Sequence, residues 1–140
     1  TDLLAEAKLS PELRNEALYY RAKAYTKQKA DKKAMEDYRE LAKDTRNPYG
    51  AEAKYQVAQS LYDAKEYAAA EKELLNYIEQ STPHAYWLAR SFILLSDVYH
   101  ATGKDLDARQ YLLSLQQNYQ GNDDIESMIE SRLSKLKVEN

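Results

Sequence analysis

The sequence predicts an all-α chain of helical hairpins set in series, and three observations carry that prediction. The first is composition: only three glycines and three prolines occur in 140 residues, against abundant Ala, Leu, Glu, Lys and Gln, the mixture that favours helix throughout. The second is a recurring helix-start pair, Ser10-Pro11, Asn47-Pro48 and Thr82-Pro83, with prolines 37 and 35 residues apart. A Ser, Asn or Thr side chain caps exposed backbone N–H groups, and Pro fits the first helical position, where no N–H partner exists. The third is that small and large residues fall into aligned columns when the stretches after these starts are superposed.

In chain order, residues 1–10 begin at Thr1, and Leu3, Leu4 and Ala7 read as the last turns of a truncated preceding helix. The sequence is therefore expected to be a fragment of a longer chain. Residues 11–47 form the first expected repeat. Leu13, Ala17, Leu18, Ala22 and Tyr25 make a 3.6-residue stripe from Pro11 to about Gln28, a turn follows near Lys29–Asp31, and Ala34, Tyr38, Leu41 and Ala42 make a second stripe. Residues 48–82 repeat the plan with Tyr55, Val57, Ala58 and Leu61, a turn near Lys65, then Tyr67, Ala70, Leu74 and Tyr77. Residues 83–121 give Phe92, Leu95, Ser96 and Tyr99, a turn at Gly103, then Ala108, Leu112 and Leu115. Gly enters the left-handed region without strain, so Gly103 is a natural helix end. Residues 122–140 predict a capping helix. Asn122 or Asp123 would start it, Ile125, Met128, Ile129, Leu133 and Leu136 would face the core, and Glu126, Glu130, Lys135 and Lys137 would face away.

The columns align with spacings of 36 and 38. Ala22, Ala58 and Ser96 form one small column and Ala34, Ala70 and Ala108 another. Tyr25, Leu61 and Tyr99 form one large column, and Tyr38, Leu74 and Leu112 the second. Small residues at these places let paired helices cross closely. This explains the run KEYAAAEKELL at 65–75: Ala70 is the required small residue, and Leu74 returns the volume one turn later.

These columns resemble the tetratricopeptide repeat, whose unit of about 34 residues carries small residues where helices A and B cross. Residues 51–83 match best, residues 89–119 keep the Gly turn and the Ala, and residues 15–48 are looser, with no Gly in the turn and Arg21 in place of an apolar residue. The resemblance covers about residues 11–120. It implies a right-handed solenoid of about three hairpins plus the C-terminal capping helix, in a single domain, with helices A on a concave face. The units exceed the usual length at NPYG and STPHAYW. In that they are similar to bacterial envelope repeat proteins of the β-barrel-assembly lipoprotein and Tol–Pal-associated types. A periplasmic or cell-envelope location is the expectation this implies, with the cytoplasm as the alternative.

Chemistry is not visible in the chain. No cysteine occurs, so disulfides and thiolates are excluded. His84 and His100 are not at metal-ligand spacing, and with only Gly50, Gly103 and Gly121 there is no phosphate loop and no nucleophile elbow. The expectation is no enzyme, cofactor, metal or small-molecule substrate. Charge supports this: the net value is −3, with 11 Lys/Arg against 9 Asp/Glu in residues 1–47 and 9 against 14 thereafter, which is not the balance of a nucleic-acid binder. A basic run, Lys23, Lys27, Lys29, Lys32 and Lys33, surrounds the first turn. It reads as a solvated face or as a docking site for an acidic partner or anionic lipid headgroups. With no apolar run near the length of a membrane span, membrane attachment would come from a part of the chain outside this sequence.

The resemblance implies a protein-interaction scaffold that takes a partner peptide or protein on the concave helix-A face. By register that face holds Glu16, Tyr19, Lys23, Thr26 and Lys27, then Glu52, Tyr55, Gln59, Tyr62 and Asp63, then Arg90, Ile93, Asp97 and His100. Tyr offers area, a hydrogen-bonding tip and little rotamer entropy to lose. The lysine–asparagine–arginine carboxylate grip of one repeat subclass does not fit, since only Arg90 and, loosely, Lys23 supply the charge. Tyr86 and Trp87 read as a junction between repeats or as an aromatic anchor. The alternative function is a self-association or spacer module, and a monomer or weak dimer is expected.

Overall fold

The computed structural model describes residues 11–80, 83–121 and 123–136. The expected helix in residues 1–10, the caps Ser10, Thr82 and Asn122, and Lys137 lie outside them. The described residues form seven α-helices and no strand: α1 (Pro11–Lys27), α2 (Asp31–Leu41), α3 (Pro48–Asp63), α4 (Tyr67–Glu79), α5 (Ala85–Ala101), α6 (Asp105–Asn118) and α7 (Ile125–Leu133). None is long and apolar enough to cross a membrane.

Two of the proline starts behave as expected. Helix α1 begins at Pro11, and α3 begins at Pro48, where the Asn47 side-chain oxygen accepts from the N–H of Tyr49 at 2.8 Å and of Gly50 at 3.4 Å. The third differs. Pro83 stays outside α5, its carbonyl accepting the Ala85 N–H at 3.1 Å, and His84 takes the cap position with ψ 83. Gly50 has a further reason to be glycine: a Cβ there would lie 1.9 Å from the Asp44 carbonyl oxygen and 2.7 Å from that of Leu41.

The three hairpin turns are one turn repeated. Lys29, Lys65 and Gly103 all have positive φ, 61, 63 and 80. Each donates its N–H three residues back, to Thr26, Tyr62 and His100, at 2.9–3.1 Å. The next residue donates five back, Ala30 to Tyr25, Glu66 to Leu61 and Lys104 to Tyr99, at 2.7–2.9 Å. This pair of bonds is the Schellman helix stop. Two of the three left-handed positions are lysines, so the missing Gly of the first hairpin does not alter its turn. None of the three following helices has a side-chain cap.

The chain divides into two compact units, Thr1–Val57 and Ala58–Asn140, with the division inside α3. Within each unit the packed helix pairs join neighbours or next-but-one neighbours in the chain. In the first unit α1 packs on α2, burying Leu18 and Ala22 on one and Ala34, Tyr38 and Leu41 on the other. In the second, α4 packs on α5, α5 on α6, and α7 on both α5 and α6. Ala89, Ile93, Leu112, Leu115, Ile125 and Ile129 form the core there, with Met128, Leu133 and Leu136 against it. All six small-column residues, Ala22, Ala34, Ala58, Ala70, Ser96 and Ala108, are buried.

Candidate partner-binding site

The first unit places Tyr19, Lys23 and Glu52 in one network. The Tyr19 hydroxyl donates to Glu52 at 2.9 Å, and the Lys23 ammonium donates to the other Glu52 oxygen at 2.8 Å while lying 5.1 Å from the Tyr19 ring centre. Burial alone would lower the Lys23 pKa, but the hydrogen bond and charge of Glu52 outweigh it and the value is raised. Burial raises that of Tyr19, and Glu52 adds to the effect. Tyr49 and Tyr20 stack against Tyr19 at 4.7 and 5.3 Å. Tyr19 and Lys23 are thus held in place, and Lys27 is exposed at the helix end.

Tyr55 is a correction. It is 5% exposed and offers no area to a partner. The cause is that Ala51, Ala53, Tyr55, Val57 and Ala58 are all buried, a set no single helical stripe contains, so α3 is covered on more than one side. Ile93 is a second correction: it belongs to the core of the second unit.

The second unit gathers four of the sequence-predicted residues around one cleft of about 340 Å³: Gln59, Tyr62, Asp97 and His100, together with Arg132, Lys135 and Leu136. Arg132 reaches from α7 to grip both Asp97 oxygens, at 3.2 and 3.3 Å. His100 shares a hydrogen bond with Asp105 at 2.8 Å, and Gln59 donates to Asp63 at 2.9 Å. The Asp97 carboxylate is thereby engaged, while among the described residues the Lys135 ammonium and the Tyr62 hydroxyl carry no hydrogen bond or ion pair. Burial raises the Tyr62 pKa, and the Asp97 charge adds to it.

Arg90 does not join this cleft. Its guanidinium donates to the Tyr86 hydroxyl at 2.9 Å, lies about 6 Å from the Tyr86 and Trp87 rings, and Tyr86 donates in turn to Asp124 at 3.0 Å. Tyr86 and Trp87, half-buried and stacked edge-on at 5.1 Å, sit in that cluster at the start of α5.

Arg132 and Lys135 went unread in the sequence as site residues; Lys135, expected to face away from the core, is exposed and lines the cleft rim. The reason is local: α7 stops at Leu133, and Lys135 sits in a closing turn, its N–H donated to Arg132 at 3.0 Å. Neither a family model nor a curated protein matches the chain.

Proposed function

We propose that the chain is a non-catalytic protein-interaction scaffold of the tetratricopeptide-repeat type, taking a segment of a partner protein on its helix-A faces. What supports this reading most is the recurrence of one turn at 29, 65 and 103, at the same 36 and 38 spacing as the buried small columns. Serial hairpins that bury closely similar crossings present successive first helices to the same use. The cleft around Tyr62 and Lys135 adds a polar, half-buried concavity with donors unspent, which suits the backbone carbonyls and acidic side chains of an extended segment. A pull-down with Tyr62→Ala/Lys135→Ala, checked for helix content, tests it. The variant is expected to lose a protein that the unaltered chain retains; an unchanged set of retained proteins counts against the reading.

A further inference from the structure

In the first unit, five basic side chains are answered by a carboxylate. Arg14, Arg21, Lys23, Lys43 and Arg46 each have a carboxylate at 2.6–3.6 Å. Five are not: Lys27, Lys29, Lys32, Lys33 and Arg39 are exposed and, among the described residues, lack an ion-pair partner. The four lysines fall within seven consecutive residues, Lys27 to Lys33, at the tip of the α1–α2 hairpin, with Asp31 the single acid of that segment.

Three of these four stand where folding favours something else. Lys29 occupies the left-handed position that Lys65 fills in the second hairpin and Gly103 in the third, a conformation unfavourable for any side chain with a Cβ. Lys32 and Lys33 lie in the first turn of α2, where the helix dipole disfavours cations. The equivalent places hold Ala68 and Ala69 in α4, and Leu106 and Asp107 in α6. Local rules broken together at one place point to a demand from outside the fold.

We propose that this hairpin tip docks on an anionic lipid surface. Lysine rather than arginine suits that partner: hydrated point charges on flexible stems serve many headgroups, whereas a defined carboxylate partner favours the bidentate fork. The nearby aromatic is not free to anchor a protein either. Tyr25 is half-buried, and its ring already takes Arg21 and Lys33 at 5.8 Å each. A patch of this size gives weak, reversible adsorption.

The test is co-sedimentation with phosphatidylcholine vesicles, with and without phosphatidylglycerol, at low and high salt. The chain is expected to bind the anionic vesicles at low salt only. Lys27→Gln/Lys29→Gln/Lys32→Gln/Lys33→Gln should weaken binding about 600-fold, each lysine counting for roughly fivefold. Lys32→Gln/Lys33→Gln alone should weaken it about 25-fold while melting no lower than the unaltered chain, which separates docking from folding. Equal binding to neutral vesicles, or variants within twofold of the unaltered chain, would overturn the proposal. So would capture of soluble polyglutamate without any binding to vesicles, which would assign the tip to an acidic protein instead.

Discussion

Arg21 stands where the repeat pattern asks for an apolar side chain, and its guanidinium answers a carboxylate. It donates to both oxygens of Asp37 at 2.8 and 2.6 Å, and the Asp37 side chain is 5% exposed. The departure from pattern is thus compensated across the hairpin, by a partner that no local spacing could reveal. Arg21→Leu leaves that buried carboxylate unpaired and should destabilise the chain by about 2–3 kcal/mol, less than a fully enclosed pair would give because the Arg side is open to water. Adding Asp37→Leu should recover most of the loss in the same urea titration; a double variant weaker than the single one would show that the pair is not the unit. The tyrosines make a second residue-scale prediction. Burial and a hydrogen bond to Glu71 at 2.8 Å raise the Tyr99 pKa, and the hydrogen bond to Asp123, aided by burial, pushes Tyr119 up to about 12. Both bind their protons more tightly folded than unfolded. Their contribution to stability is therefore complete below pH 10 or so and is lost as pH rises through the folded values. Melting temperature should fall steadily between those limits, and Tyr99→Phe/Tyr119→Phe should flatten that fall. A slope unchanged by the double substitution would rule these two out as its source.

At the scale of the element, the hairpin turns and helix crossings follow from short-range pattern. A 3.6-residue stripe, a small residue at the crossing and a turn one step later can all be read within one hairpin, and the helices lie where these place them. The left-handed residue could not be read so directly, because Lys29 and Lys65 adopt it without being glycine. What fixes it is the bonding of the turn, which any residue can satisfy at the expense of strain. Lys65→Gly should therefore raise stability by about 0.5–1 kcal/mol, read from the denaturation midpoint; a decrease would mean that the lysine side chain itself supports the turn. The crossing has its own test. Ala70 is 0% exposed, whereas Ala69, one residue earlier, faces solvent. Ala70→Leu should overfill the crossing by about 1–3 kcal/mol and Ala69→Leu should change little, so equal effects would contradict the register. The start of α5 was misplaced because a Thr-Pro pair marks a boundary without fixing which side of it the first helical turn takes. The burial of Tyr55 was missed because stripe arguments assume one buried face.

For the molecule as a whole, the sequence specifies an all-helical chain, and the seven described helices accord with it. The candidate site was legible in part. Gln59, Tyr62, Asp97 and His100 line one cleft because register on first helices is a local property. Arg132 and Lys135 come from α7, and only tertiary packing brings them there. The central claim is that first-helix residues, not second-helix ones, meet a partner. A photo-crosslinking side chain placed at His100 in α5, and separately at the exposed Gln110 in α6, tests it directly. Reaction in extract of the source cells should yield a discrete covalent protein adduct from position 100 and none from position 110. An adduct confined to position 110, or none at position 100 while Gln110 reacts, would contradict the account.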